Sequence, residues 1–219
     1  MVRIADKGAA DFLARDFEAT WCGKARAGRH QGDGFAIHAL DGRSNREGFE
    51  PLLAAIGGAR RSIQLVSPYV TFPFLDALGE AATRGVRVEI VTPVDNNKRA
   101  LRDYLLAEAH RLGILVRLLP TMTHAKALLI DESLLVMGSS NFDFVSWLAL
   151  EEYLLFSTDP ALIASLRQDL IEPAFAEAEQ QLPYVPSGPR AIIARLKVQG
   201  AAILVGAARN ARRGAIDWH

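Results

Sequence analysis

From Phe35 onward the chain alternates short apolar runs with segments of helical period, and this alternation limits the fold more than any other feature. Phe35–Leu40, Ser62–Val66, Val86–Val91 and Ile114–Leu119 read as strands. Between them, Phe49, Leu52, Leu53 and Ile56 mark a helix that runs out near Gly57-Gly58. Phe74–Thr83 is a second helix, ending at Gly85, and Asn97–Leu112 a third, closed by Gly113. Such alternation implies βαβ crossovers, and therefore an α/β fold with a largely parallel sheet covered on both faces. Two further runs, His124–Ile130 and Leu134–Gly138, flank Asp131-Glu132-Ser133 and predict a hairpin. Leu150–Ser157 predicts another strand and Pro160–Gln181 a long helix. Before the alternation, residues 8–21 put Ala9, Phe12, Leu13, Phe17 and Trp21 on one helical stripe. Residues 22–34, with four glycines and little to bury, predict a linker.

Composition narrows the function classes. Half of the 219 residues are hydrophobic, enough for a full core, and 25 basic residues balance 25 acidic ones. No global field attracts nucleic acid, which weighs against a nonspecific nucleic-acid partner. The single Cys22 rules out a disulfide framework or a cysteine-based metal cluster and fits a reducing, cytoplasmic setting. The N-terminus carries no apolar signal segment, and no uncharged apolar run reaches the roughly 18 residues of a spanning helix. The chain reads as soluble or peripheral.

The chemistry concentrates at the predicted hairpin. His124, Lys126 and Asp131 stand at H-x-K-x-x-x-x-D spacing, and Gly138, Ser139 and Asn141 follow as G-S-x-N. A lone strand histidine is usually a satisfied core residue, and a lone lysine beside it usually snorkels to solvent. Six such residues at this spacing should arise by chance less than about once in 10⁵ chains of this length. A histidine, an ammonium, a hydroxyl and an amide are what a phosphodiester requires: a nucleophile and donors for anionic oxygens. On a strand, His124 and Lys126 share a face, as do Ser139 and Asn141. Asp131, at an odd offset, is expected to support the hairpin or neighbouring backbone, and Gly138 to allow close backbone approach.

This pattern resembles the HKD motif of the phospholipase D superfamily, and residues 43–180 resemble the second lobe of bacterial cardiolipin synthases. Ser67-Pro68-Tyr69-Val70, Val86–Pro93 and the approach through Gly113 to Pro120 match in order and spacing. The resemblance implies a phospholipase D-like lobe at residues 35–181, a mixed, mostly parallel sheet sandwiched by helices. It implies His124 as the nucleophile that becomes phosphohistidine, or as the facing general acid. Lys126, Ser139 and Asn141 would hold phosphoryl oxygens. Glu152, eleven positions past Asn141 and next to Glu151, would bond the other ring nitrogen of His124. No cofactor and no metal are implied, and His30, His38, His110 and His219 are not at ligand spacing with one another. The implied substrate is a phospholipid, taken by hydrolysis or phosphatidyl transfer.

The departures define the partners. Such enzymes face two HKD lobes against each other, and this chain carries one. Residues 1–34 resemble the tail of a preceding lobe plus a linker. The second lobe is therefore expected from a separate N-terminal half or from a second copy of the chain. A homodimeric single-lobe nuclease, or an inactive half, are the rival readings. Leu150 stands where cardiolipin synthases usually carry Asn, and Phe144-Val145 replaces Pro-Arg, so acceptor specificity stays open. Residues 182–219 form an apolar segment with Arg195, Lys197, Arg209, Arg212 and Arg213. This segment reads as a basic amphipathic helix on an anionic membrane surface, or as a terminal helix packed on the domain.

Overall fold

The computed structural model describes residues 2–180 and 186–216. Helix α1 (Lys7–Trp21) is started by Asp6, whose carboxylate accepts the Ala9 N–H. The expected linker then contains a strand: β1 (Gly28–Gly32) pairs antiparallel with β2 (Phe35–Asp41) around a turn at Gly34, where φ is +69°. The short α2 (Asn45–Gly48) and α3 (Glu50–Gly58) lead into β3 (Ser62–Val66), α4 (Phe74–Thr83), β4 (Arg87–Pro93), α5 (Arg99–Arg111) and β5 (Leu115–Leu119). The hairpin β6 (Ala127–Ile130) and β7 (Leu134–Gly138), the short α6 (Phe144–Ala149) and β8 (Glu151–Ser157) follow. Where one long helix was expected, α7 (Pro160–Leu166) passes through a π-helical turn (Arg167–Ile171) into α8 (Glu172–Glu177). The two-residue β9 (Glu179–Gln180) comes next, and α9 (Gly188–Ile216) closes the described chain.

The strands form one sheet in the order β1-β2-β8-β7-β6-β3-β4-β5-β9. Only β3–β4 and β4–β5 are parallel; every other neighbouring pair is antiparallel. The expectation of a mostly parallel sheet is thus corrected. The crossovers through α4 and α5 do give parallel strands, but the hairpin enters beside β3 antiparallel and carries β8 and β2 with it. Alternation along each strand separates two cores. Ile63, Leu65, Val88, Ile90, Leu128 and Val136 face α3–α6 and α9. Val66, Val91, Leu129 and Leu135 face the other way, against Ile163, Ile171 and Ala174 of the α7–α8 stretch.

One carboxylate holds the hairpin in register. Asp131 and Glu132 turn the chain at φ +52° and +58°. The Asp131 side chain accepts the backbone N–H groups of Arg60, Arg61 and Ser62 at 2.7–2.9 Å, and its own N–H donates to the Ser62 carbonyl.

Helix α9 lies on α5 and α6 through Ala194, Val198 and Ala202, all buried. Arg190 bonds Asp103 and Arg195 bonds Glu108, each through Nε at 2.9 Å. The packed-helix reading therefore describes its inner face. Its outer face presents Ile192, Ile193, Leu196, Ile203 and Leu204, all exposed. By length and hydropathy alone, Gly188–Ala211 is long and apolar enough to cross a membrane. The side chains of Arg212 and Arg213, and residues 181–185 and 217–219, lie outside those described.

Asp131 sets a test of the fold. Partial burial pushes its carboxyl up, but the donated N–H groups of Ser62, Arg60 and Arg61 outweigh that and hold it below the usual 3.8. A depressed folded pKa means its stabilisation is complete above the ordinary carboxylate range and is lost as pH falls below it. Asp131→Ala should cost about 1–3 kcal/mol in urea unfolding at neutral pH. The gap to wild type should shrink in acid; a gap that is constant with pH would contradict this role.

Candidate active site

The site lies at the open end of the hairpin, where β7 meets β8 and the stretch before β6 adjoins the end of β3. His124 and Lys126 belong not to β6, as expected, but to the extended stretch just before it. They still sit two residues apart. His124 is exposed, whereas Lys126 is only 7% exposed and donates from Nζ to the His124 carbonyl oxygen at 2.8 Å. Burial lowers the Lys126 pKa from its ordinary 10.5, and the carboxylates of Glu152 and Asp143 oppose that shift. Lys126 Nζ is therefore held in a partly desolvated place with two acids nearby that favour its charged form.

From the other end of the hairpin, Gly138 closes β7 against β8. A Cβ on Gly138 would stand 2.0 Å from the Tyr153 carbonyl oxygen, closer than any side chain tolerates. This tight approach lets Ser139 fold over β8. Its hydroxyl donates to Glu152 and accepts the Tyr153 N–H at 3.0 Å. The second oxygen of Glu152 accepts from the Ser146 hydroxyl at 3.2 Å. Among the described residues no hydrogen bond joins Glu152 to His124; in this structure the carboxylate serves the two serines and the field around Lys126. Asn141 is partly buried, and its Oδ1 is buried without a hydrogen-bond partner, a costly arrangement that is common where a ligand is expected. Asp131 stands at the far end of the hairpin, away from the other five residues, in the backbone contacts already described.

Sequence reasoning passed over two residues here. Asp143, 1% exposed, caps α6 by accepting the Val145 and Ser146 N–H groups at 3.0 and 2.9 Å. Burial raises its pKa, with the N–H of Ser146 and the charge of Lys98 acting against the shift. Ser146, three positions on, delivers its hydroxyl to Glu152. The Asp-x-x-Ser spacing at a helix start was the available signal. The arrangement provides an exposed imidazole, a buried ammonium, an amide and a fixed carboxylate on one open surface. That set can bind an anionic oxygen and attack beside it.

The family described as "Cardiolipin synthase, PLD-like domain" matches residues 52–172. Cardiolipin synthase A of Buchnera aphidicola is 33% identical over 110 residues, covering 47% of this chain and 22% of that protein. The minor cardiolipin synthase ClsB of Bacillus subtilis is 30% identical over 144 residues, 61% of this chain and 35% of that one. The chain thus spans about a fifth to a third of the length of these relatives. Among solved structures, the phospholipase D family member Nuc from Salmonella typhimurium superposes with a TM-score of 0.59 at 21% identity. It covers 72% of this chain and 100% of that one. Phosphatidylserine synthase from Haemophilus influenzae superposes at 0.61 and 16% identity, covering 78% and 47%.

The close approach at Gly138 yields a prediction. Gly138→Ala must part β7 from β8, and it should cost about 1–3 kcal/mol in chemical denaturation as an overpacked position does. Wild-type stability in this variant would refute the contact. On the matched residues and the fold together, the chain belongs to the cardiolipin synthase-type domain family of the phospholipase D superfamily.

Proposed function

We propose that this chain is a phosphodiester-acting lobe whose chemistry is phospholipid hydrolysis or phosphatidyl transfer through a phosphohistidine on His124. The observation that carries the reading is the buried Lys126 ammonium directly beside the exposed His124, with Asn141 at the adjoining end of the hairpin. In the first step a ring nitrogen of His124 attacks phosphorus. A P–N bond forms, the P–O bond to the leaving alcohol breaks, and a second imidazole protonates that alkoxide. In the second step water or an acceptor alcohol attacks, gives its proton to that same second imidazole, and the P–N bond breaks. Lys126 and Asn141 hold the phosphoryl oxygens and take up the charge of the transition state. Ser139, with its proton committed to Glu152, acts by fixing that carboxylate, which keeps Lys126 charged.

One His124 cannot both attack and protonate, because the two events lie on opposite sides of the phosphorus. A second lobe is therefore required, from a second copy of the chain or from a separate half. That Nuc is matched over its entire length supports the two-copy arrangement, since one lobe is a whole chain there. Family resemblance of residues 1–21 to a preceding lobe's tail supports the separate half. Light scattering with an activity assay decides between them, and an active monomer would sink both. In either assembly His124→Ala should lower turnover of phosphatidylglycerol vesicles by more than about 10³-fold with the fold intact. Near-wild-type turnover would remove the proposal. With no global charge to attract nucleic acid, the nuclease alternative is disfavoured; strong salt-sensitive DNA binding would restore it.

The lipid reading extends to α9. Its outer ridge, Ile192, Ile193, Leu196, Ile203 and Leu204, runs opposite the face packed on α5 and is flanked by Lys197. In this proposal the ridge seats in the interfacial layer of an anionic membrane, so that the lobe meets its substrate at the bilayer surface. Replacing Ile193, Leu196, Ile203 and Leu204 by Gln should abolish co-sedimentation with acidic vesicles and leave the unfolding midpoint unchanged. Unchanged co-sedimentation would refute it.

A further inference from the structure

A cavity opens at the same edge of the sheet as the candidate site. At the start of β8, Glu151 pairs with Asp41 at the end of β2, and on the other side of β8 Leu154 pairs with Gly138 at the end of β7. At that edge Val145, Ala149 and Leu150, from α6 and its C-cap, and Val205 and Ala208 of α9 line a cavity of about 350 Å³. Neighbouring strands lie about 4.8 Å apart, so the end of β2 stands roughly 10 Å from the end of β7.

One buried amide fixes the walls. Asn45, fully buried, donates from Nδ2 to the carbonyls of Ser146 and Leu150, each at 2.7 Å, and its Oδ1 accepts the Gly42 N–H at 2.8 Å. Gly42 is pressed so closely on α6 that a Cβ would stand 2.7 Å from the Ala149 carbonyl oxygen. Arg209 donates to the Leu148 carbonyl at 3.3 Å and ties α9 to the same helix. Helix α6 therefore serves two sides. Ser146 turns its hydroxyl to Glu152 in the candidate site, whereas Val145 and Ala149, one turn apart, line the cavity.

The lining selects the occupant. Five aliphatic side chains in a concave place leave water few partners, and Leu150 remains 39% exposed there. The charges of the lining cancel, Asp41 and Glu151 against Arg43 and Arg209, so the cavity offers no net field to an ion. The Asp41 carboxylate is in addition committed to the N–H groups of Arg43 and Ser44 at 2.8 and 2.7 Å. An apolar occupant fits such a place. Val145 and Leu150 also stand where this chain departs from the family it resembles. On α9 the cavity meets the outer ridge, since the exposed Leu204 adjoins Val205 and lies one turn from Ala208.

We infer that this cavity is an acyl-chain subsite, which takes part of one fatty chain of the phospholipid whose phosphate lies at Lys126. The inference rests on the reading of the preceding section and adds to it a preference for long-chain lipid. A chain leaving the bilayer beside Leu204 enters between α6 and α9, and its glycerol end extends along the sheet edge toward Glu152 and Lys126.

Calorimetric titration of the full chain with lysophosphatidates carrying butanoyl, octanoyl or dodecanoyl chains, below their micelle-forming concentrations, tests it. Each methylene that enters the cavity should tighten binding about twofold to fourfold until the cavity is full. Ala208→Trp fills the cavity from α9, and Leu150→Gln makes its wall polar; each should reduce the gain from butanoyl to octanoyl at least about fivefold. Affinity independent of chain length in wild type, or a gain retained in either variant with an unchanged unfolding midpoint, overturns the subsite. Lys126→Ala should weaken all three ligands. If it weakens the butanoyl but not the dodecanoyl compound, the cavity holds a free fatty chain and not the substrate's, which also overturns the inference. If it weakens none, the anion site proposed above falls, and a wild-type chain that binds no lysophosphatidate overturns both.

Discussion

Everything at the site depends on the pairing of the β6–β7 hairpin between β3 and β8. The hairpin is short, and its two open ends carry the candidate site residues, so a slip of one residue would send Lys126 and Ser139 to opposite faces. Two contacts at opposite ends prevent that slip. Asp131 gathers three backbone N–H groups at the start of β3, and Gly138 presses against the Tyr153 carbonyl in β8. The candidate site is thus held by backbone hydrogen bonds and the absence of one methyl group.

Electrostatics then assigns the parts. Lys126 is buried enough to lose solvation, which lowers its pKa; Glu152 and Asp143, both fixed by hydroxyl or N–H donors from the start of α6 and its neighbours, oppose that shift. In the proposed reaction neither acid would have to move for the ammonium to meet a phosphate. His124, by contrast, is exposed and free of such restraint.

Much of this was legible in the residues. The strand–helix alternation located β2 through β5 to within a residue or two, because each apolar run is bounded by Gly or Pro. The motif spacing picked out His124, Lys126, Ser139 and Asn141 as candidates, and the fold sets these four at the open end of the β6–β7 hairpin. The sheet's direction was misjudged: βαβ spacing governs β3, β4 and β5 alone, and nothing in the apolar runs of β6, β7 and β8 tells parallel from antiparallel. The strand β1 was missed because Gly28, Arg29, Gln31 and Gly32 have little strand propensity; its pairing comes from β2. The bonding of Glu152 to Ser139 and Ser146 was hidden because it joins three segments whose closeness exists only in the folded sheet.

The pairing of β2 with β8 joins residues more than 100 positions apart in the chain, Phe35 with Ser157 and Asp41 with Glu151. A contact of such separation closes a long loop and is among the last to form as the chain collapses. Until it does, β8 is an open edge, with unpaired backbone groups along the strand that bears Glu152. An open edge of that kind is a template for another chain. Any trimming that removes β2 would make this state permanent, so the N-terminal hairpin covers an edge open to aggregation although it contributes no residue to the candidate site.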